Sequence, residues 1–207
     1  IPHLADWLGP GGYRATSSTV ERGKFAEWSN FAGHLPAHRE RQFQAWVQIS
    51  MGCNSKCSYC IVPSVRGREQ SRTLDDILNE TRSLAADGVR EVTLLGQNVN
   101  SWGRDLKPAG RVQFGDLLYA IDEIEGIDRI RFTSPHPKDF RKPVIDAMSA
   151  CDSVCEHTHL PAQSGSSSVL KRMRRTYSRE RFVELAKQMR SEIPDLALST
   201  DLIVGFP

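Results

Sequence analysis

Three cysteines on one short segment are the residues of this sequence best suited to chemistry. Cys53, Cys57 and Cys60 follow the spacing Cys-x3-Cys-x2-Cys, and Tyr59 stands directly before the last of them. Three thiolates cannot complete a structural zinc site, which normally takes four Cys or His ligands. Thiolates are also the usual ligands of a 4Fe–4S cluster, and three of them leave the fourth iron open. The segment therefore predicts an iron–sulfur cluster whose open iron can bind a reactant.

A zinc site remains an alternative, because distant residues can meet in a fold. Cys151, Cys155, His157 or His159 would supply the fourth ligand in that case. Cys151 and Cys155 lie four residues apart beside apolar residues, and this placement favours small buried side chains over ligands. Five cysteines in 207 residues also argue against the disulfide framework of a small secreted domain.

Composition excludes little but fits a cytoplasmic enzyme. The sequence has 27 Lys and Arg residues against 25 Asp and Glu residues, a net charge of +2, so no strong field requires a nucleic acid or a membrane as partner. No apolar run approaches the roughly 18 residues that a membrane span needs. Thiolate ligands and free cysteines predict a reducing compartment.

The segments that must position the cysteines alternate between strand and helix. Apolar patterns predict strands over residues 45–50, 91–95, 129–133, 156–160 and 196–204. They predict helices over residues 73–86, 114–125, 143–148, 168–175 and 178–190. This alternation predicts an α/β fold with a parallel sheet and right-handed crossovers, either open or closing into a barrel. Residues 1–44 are rich in Gly, Ser, Pro, Arg and His, and we interpret them as a linker or peripheral segment.

Polar residues follow several of the predicted strands, where ligands bind in parallel α/β folds. The cysteine segment follows the first strand. Gln97 and Asn98 follow the second, Ser134 follows the third and Gln163 follows the fourth. Each group alone is typical of an ordinary loop. Together they provide neutral donors and acceptors suited to a zwitterionic amino acid and a ribose.

These segments resemble a known family. The cysteine spacing with Tyr59 resembles radical S-adenosylmethionine (SAM) enzymes, and longer stretches resemble tRNA methylthiotransferases of the MiaB type. The stretches are residues 52–69, 94–100, 131–137, 159–166 and 200–207. Ala162 departs mildly, since a larger aliphatic residue is usual there. The resemblance implies a partial (β/α) TIM-type barrel of the radical SAM kind over residues 45–207, truncated after the fifth strand, with an N-terminal domain expected before the linker.

The resemblance also implies roles for individual residues. Cys53, Cys57 and Cys60 would hold a 4Fe–4S cluster that binds SAM. The SAM contacts implied are Tyr59, Gln97, Asn98, Ser134 and Gln163. The implied contacts to substrate or SAM are Arg66, Arg174 and Arg175. A basic stretch, defined as Lys171, Arg172, Arg174, Arg175, Arg179 and Arg181, predicts either a phosphate-backbone contact or a solvated helix face.

The reaction implied by the family has two parts. SAM is cleaved reductively to a 5′-deoxyadenosyl radical, which takes hydrogen from C2 of an isopentenylated adenosine next to the tRNA anticodon, and sulfur and then methyl are installed. In the family, sulfur comes by way of a second 4Fe–4S cluster in the N-terminal domain. The implied partners are tRNA and a flavodoxin-type electron donor, and we expect a monomer.

Two alternatives remain. The first is the sister methylthiotransferase that modifies an aspartate of a ribosomal protein. That family favours Gln-Asp and Gln-His where this sequence has Gln97-Asn98 and Gln163-Ser164, which favours tRNA. The second, from another class, is a zinc-bound nucleic-acid-binding module. Analysis of iron and sulfide in anaerobically purified protein separates the two classes.

Overall fold

The computed structural model describes residues 41–106 and 112–207. Residues 1–40 of the predicted linker, which was assigned to residues 1–44, lie outside the described residues. The strands are β1 (Gln44–Gln48), β2 (Ser50–Met51), β3 (Gln70–Ser71), β4 (Glu91–Leu95), β5 (Arg129–Phe132), β6 (His157–His159) and β7 (Ala197–Ser199). The α-helices are α1 (Val62–Val65), α2 (Leu74–Ala86), α3 (Phe114–Asp122), α4 (Lys142–Ala150), α5 (Ser167–Arg172) and α6 (Arg179–Glu192). Short 3-10 helices cover Val99–Ser101 and Pro137–Asp139.

Five parallel strands follow one another in chain order. β1, β4 and β5 form one sheet, and β6 pairs with β7 in a second. A parallel bridge between Ile130 and Val154 joins β5 to the segment that leads into β6, with the Cys155 N–H donating to the Ile130 carbonyl at 3.0 Å. The short strands β2 and β3 form a separate antiparallel pair. The predicted α/β fold with parallel strands is confirmed as a partial TIM-type arrangement, and the described strands do not close into a barrel.

The two faces of the sheet differ in polarity because successive residues of a strand point to opposite sides. Val47, Leu94 and Ile130 are fully buried and belong to the apolar core that the helices complete. On the other face of β1, Trp46 is 65% exposed, and it pairs in register with Thr93. The helices thus cover one face and leave polar and charged side chains on the other.

Local signals explain where the helices begin. The Thr73 hydroxyl accepts a hydrogen bond from the Asp76 N–H at 3.2 Å, and this N-cap begins α2 at the start of the predicted helix. Gly88 follows α2 with φ of +86°, a conformation that only glycine adopts readily. Ser178 caps α6 in the same way, accepting from the Arg181 N–H. These helices match the predicted segments closely.

The last predicted strand is the largest departure from the sequence-based assignment. Residues 196–204 were expected to form one buried strand, but β7 covers only Ala197–Ser199, and Leu202 adds a single bridge to Gln163. Val204 is 91% exposed and Leu202 is 62% exposed. The physical reason is that no element of residues 41–106 and 112–207 covers this apolar run, so hydrophobicity alone does not bury it.

The first predicted strand, residues 45–50, divides instead into β1 and β2. Ile49 lies between them: its N–H donates to the Leu95 carbonyl and its carbonyl accepts from the Arg72 N–H. The chain therefore changes partner at Ile49, from β4 to β3, just before the three cysteines. None of the helices in the described part of the chain is long and apolar enough to cross a membrane.

Candidate active site at the carboxyl ends of the strands

The cysteine loop, defined as residues 52–60, is held in place at its first residue. Gly52 has φ of +78°, and a Cβ atom there would lie 2.2 Å from the Arg68 carbonyl oxygen. Only glycine therefore fits between the loop and the returning chain. The Gly52 N–H donates to the Gln97 side-chain oxygen at 2.6 Å, and the Cys53 N–H donates to the Gly67 carbonyl. Gln97, which follows β4, thus fixes the start of the loop.

The end of α5 holds the middle of the cysteine loop. The Ser58 N–H donates to the Met173 carbonyl at 3.1 Å, and the Ser58 hydroxyl donates to the Arg172 carbonyl at 3.0 Å. These carbonyls belong to the last turn of a helix, where they lack partners within the helix. Arg174 then takes a left-handed conformation with φ of 56°, which turns the chain so that Arg175 can reach the loop.

Two of the three thiols receive hydrogen bonds. The Ser55 N–H lies 3.3 Å from the Cys53 Sγ atom, and the Arg175 guanidinium donates to the Cys57 Sγ atom at 3.2 Å. Cys53 is buried, Cys57 is partly buried and Cys60 is exposed. Hydrogen bonds of this kind orient ligands and tune the potential of a bound cluster. Arg175 also donates to the Tyr177 hydroxyl at 2.9 Å, so its position does not depend on the sulfur contact alone.

The thiols fit an iron–sulfur cluster better than a single metal ion. In the described part of the chain, no three His, Cys, Asp or Glu side chains lie close enough together to hold one ion. A four-iron cluster places each thiolate on a different iron and so needs wider spacing. The sequence-based zinc set is further weakened at Cys151, because burial and the nearby Asp122 carboxylate raise the pKa of this thiol to about 12. Burial also raises the pKa of Cys155.

A buried polar network lies behind the loop. The Asn98 side-chain N–H donates to Asp139 at 2.7 Å, and Arg104 donates to the other oxygen of this carboxylate at 2.6 Å. Next to Asp139, the Lys138 ammonium donates to the Ser55 hydroxyl in the cysteine loop at 3.1 Å. Asn98 is 3% exposed, and its amide N–H is already engaged. The predicted contact from Asn98 to SAM stays a prediction.

Two residues predicted to contact SAM have strained backbones. Ser134 and Gln163 have φ of 58° and 68°, although neither is glycine. Such conformations cost about 1–3 kcal/mol each and persist only where the surroundings impose them. The Ser134 carbonyl accepts from the Val99 N–H. The Gln163 N–H donates to the Asp201 carbonyl, and the Gln163 carbonyl accepts from the Ile203 N–H. Both turns lie just after a parallel strand, which is where strained residues occur at functional sites.

The remaining predicted residues lie at the surface. Tyr59 is 39% exposed and meets Phe206 edge-to-face at a ring distance of 6.1 Å. Partial burial raises the pKa of Tyr59 although Arg175 opposes the shift, so its phenol stays neutral. Arg66 and Arg174 are exposed, and their roles stay predictions. Of the predicted set, Arg175 is the arginine that contacts the cysteine loop.

Sequence reasoning missed a hydrogen-bonded group on β6 and β7. His159 Nδ1 lies 3.0 Å from the Ser199 hydroxyl, and Nε2 lies 3.1 Å from Asp201 Oδ2. His159 and Ser199 are direct partners in the parallel register, on the face opposite the buried Thr158. The Asp201 carboxylate favours the imidazole tautomer with hydrogen on Nε2, and Nδ1 then accepts from Ser199. The alternation of His157-Thr158-His159 was the available signal, but only the register identifies the partners.

His136 lies in the polar segment after the third predicted strand, within the stretch 131–137, but the sequence assigned it no individual role. It is buried, its Nδ1 atom accepts from the Lys138 N–H at 3.2 Å, and its ring meets Tyr177 edge-to-face. Burial, assisted by the positive charges of Arg175 and Lys138, lowers the pKa of His136 to about 3. The imidazole is therefore neutral at ordinary pH and acts as a hydrogen-bond acceptor.

Comparison with known proteins places this arrangement in a family. The family model described as Radical SAM superfamily matches residues 47–207, which include the cysteine loop and all five parallel strands except the start of the first. The chain belongs to the radical SAM superfamily. This family implies a 4Fe–4S cluster and SAM as cofactors, and Cys53, Cys57 and Cys60 fit the cluster by type and placement.

More specific relatives carry one name. The chain is 52% identical over 178 residues to a protein of a Thermoanaerobacter species named tRNA-2-methylthio-N(6)-dimethylallyladenosine synthase, with 86% of this chain and 37% of that protein covered. It is 54% identical over 177 residues to the protein of the same name from Acidothermus cellulolyticus, with 86% and 35% covered. The chain thus spans about a third of the length of these relatives.

Solved structures support the fold at low sequence identity. The radical SAM methyltransferase TsrM from Kitasatospora setae, solved with cobalamin and a [4Fe-4S] cluster, matches with a TM-score of 0.62 and 18% identity, covering 79% of this chain and 31% of that one. SuiB from Streptococcus suis, solved with a precursor peptide, matches with a TM-score of 0.56 and 18% identity, covering 78% and 33%. These similarities show the fold alone.

Proposed function

We propose that this chain carries the catalytic core of a tRNA methylthiotransferase. The reaction is conversion of N6-isopentenyladenosine next to the tRNA anticodon into its 2-methylthio derivative. The observation that carries the proposal is the cysteine loop, fixed at the carboxyl ends of parallel strands in a sequence more than half identical to proteins named for this reaction.

When bound, the cluster and SAM supply the reductive cleavage that generates a carbon radical. The residues of this chain position and shield that chemistry. Gln97 holds the cysteine loop at its first residue, Gly52, and Arg175 holds it at Cys57. Ser134 and Gln163 offer SAM the polar groups of two strained turns.

On the open face of β6 and β7, His159 is proposed to orient the adenine. Its ring is fixed by Ser199 and Asp201, and the second Asp201 oxygen has no protein partner in the described residues, so it is free to accept a hydrogen bond. Preoriented groups of this kind reduce the entropy lost when a substrate is bound in a reactive position. Arg66 and Arg174 remain proposed contacts to substrate or SAM.

The organisation of the chain is part of the proposal. Residues 45–207 form the radical SAM core, and residues 1–44 are a linker from a preceding domain. Sulfur is proposed to come from a second 4Fe–4S cluster held outside residues 45–207. Cys151 and Cys155 are not proposed as its ligands, because Cys151 belongs to the apolar core and two thiols are too few to form a second triad. A flavodoxin-type reductant, a cytoplasmic location and a monomeric state complete the proposal.

The alternatives are less well supported. A ribosomal-protein aspartate methylthiotransferase would favour acidic and histidine residues where this chain has Asn98 and Ser164. A zinc-bound module would need converging ligands, and the described Cys, His, Asp and Glu side chains do not converge.

Anaerobic reconstitution tests the cofactor. The chain should turn brown and contain close to one 4Fe–4S cluster, and Cys57→Ala should lose most of the iron and sulfide. Cys151→Ser is the matched control, because this cysteine is buried in the core and should leave the cluster intact. A colourless protein with stoichiometric zinc would contradict the proposal.

Product analysis tests the reaction. The reduced chain with SAM should release 5′-deoxyadenosine slowly, and with isopentenylated tRNA it should give no methylthio product by mass spectrometry. The second result follows because no second cysteine triad is available among its five cysteines. Robust methylthiolation by this chain alone would show that sulfur does not come from a second cluster.

A further inference from the structure

A cavity of about 360 Å³ lies between residues 137–142, which follow β5, and the first three turns of α6 with the residues just before it. Four cationic side chains line it, Lys138, Arg141, Lys142 and Arg181, and no Asp or Glu does. The aromatic rings of Phe140 and Phe182 form part of its wall. A cavity of this volume falls in the range that holds a small ligand.

The cations differ in how far neighbouring acids neutralise them. Lys142 pairs with Asp146 at 2.5 Å, and Arg181 pairs with Glu184 at 2.7 Å. Lys138 is engaged with Ser55 and lies 3.8 Å from Asp139. The exposed Arg141 guanidinium makes no hydrogen bond or ion pair with the described residues. Its donors are therefore free to bind an anion that enters the cavity.

The apolar side of the cavity suits a flat ring. Tyr177 and Phe182 line it together, with their rings tilted by 34° at a centroid distance of 6.3 Å. Aromatic faces bind bases by stacking, and arginine and lysine at the edge bind the phosphate that accompanies the base. Thr176 and Gln188 add neutral hydrogen-bonding groups. The combination fits a nucleotide better than a free anion or a purely apolar ligand.

The cavity is linked to the cysteine loop through two of its lining residues. Lys138 donates to Ser55 in the loop, and the Tyr177 hydroxyl accepts from Arg175, which donates to Cys57. We propose that this cavity binds one nucleotide of the RNA substrate, a base with its phosphate that flanks the modified adenosine. The inference rests on the proposed function, because it takes RNA as the substrate.

Binding of RNA without turnover tests the cavity. Anisotropy of a fluorescein-labelled single-stranded RNA of seven nucleotides should show saturable binding to the full chain, without SAM or cluster. Arg141→Gln should raise Kd about fivefold at 0.1 M salt, and the slope of log K against log salt should shrink by about 0.7, the value of one contact to a single strand. Arg179→Gln is the matched control: it removes an equally exposed cation from the same region, outside the cavity.

Three outcomes overturn the inference. Equal loss in Arg141→Gln and Arg179→Gln would show diffuse attraction to positive charge across this surface rather than binding in the cavity. Unchanged affinity in Arg141→Gln would place RNA elsewhere. If inorganic phosphate competes with the RNA as well as adenosine monophosphate does, the cavity binds an anion without a base. Phe182→Leu, with an unchanged melting temperature, should weaken the binding of adenosine monophosphate but not the binding of phosphate. Because no step needs SAM cleavage, failure here is distinct from failure of the proposed reaction.

Discussion

Replacing Arg175 by glutamine should remove one of the contacts that join the cysteine loop to the end of α5 and should loosen the loop at Cys57. The guanidinium donates to the Tyr177 hydroxyl at 2.9 Å and to Cys57 Sγ at 3.2 Å. A hydrogen bond from a charged donor contributes about 1.5–3 kcal/mol to stability. Because a thiol is a weak acceptor, we expect the bond to Cys57 to contribute about half of that. The free energy of unfolding should therefore fall by about 2–4 kcal/mol. With a urea slope of about 2 kcal/mol/M, the midpoint should move by about 1–2 M.

Urea denaturation of the apo chain, followed by circular dichroism, measures this change. Arg174→Gln is the control. The Arg174 side chain is next to Arg175 in the sequence but exposed, so its replacement should change the free energy of unfolding by less than about 0.5 kcal/mol. Equal destabilisation by the two variants would refute the assignment, because a general effect of charge would then explain both. In the reconstituted protein, Arg175→Gln should also lose iron faster to a chelator than the parent chain does.

Three further predictions concern polar groups at and away from the cysteine loop. His136 stays neutral in the folded chain but binds a proton when the chain is unfolded. The free energy of unfolding should therefore fall as pH drops from about 6.5 towards 3, by up to about 1.4 kcal/mol per pH unit. His136→Asn should flatten this pH dependence in urea titrations. Burial raises the pKa of Glu91, but hydrogen bonds from Arg129 and Gln44 outweigh it and lower the pKa below 4.5. Glu91→Gln should therefore destabilise the chain by about 1–2 kcal/mol at pH 7, a difference that disappears as pH falls from 4.5 through the lowered pKa of the folded chain. Ser134→Ala should weaken SAM binding by about 0.5–1.5 kcal/mol in calorimetry with the cluster intact, and unchanged affinity would place SAM elsewhere.

The sequence predicted those features that depend on neighbours along the chain. The bounds of α2 and the alternation of strands with helices follow from local patterns, and both match the structure. The predicted extent of the last strand does not match the structure. Burial of residues 202–204 depends on other elements that would have to cover them, and a local pattern does not show whether such elements are there. Propensity measures what a segment can form, whereas burial depends on what packs against it.

Side-chain roles at the site were harder to predict than its position. Gln97 also accepts a hydrogen bond at its side-chain oxygen from Gly52, 45 residues away, which the sequence did not predict, and its contact to SAM stays a prediction. Arg175 was grouped with a basic stretch suited to phosphate, yet it reaches Cys57, 118 residues away. Such contacts are set by the packing of distant elements, and no spacing rule in a single sequence encodes them. The pairing of His159 with Ser199 was hidden for the same reason.

The contact between Ser58 and the end of α5 has a consequence for biosynthesis. The ribosome completes the cysteine loop more than 100 residues before the carbonyls that hold it, since Ser58 and Arg172 are 114 positions apart. Closing a chain segment of that length is slow compared with forming a local helix. Until α5 has been made, the cysteine loop therefore lacks the hydrogen bonds that hold Ser58, and its three thiols are open to oxidation. Iron and sulfide delivered before α5 emerges would meet a mobile ligand set, so cluster assembly should follow the emergence of α5.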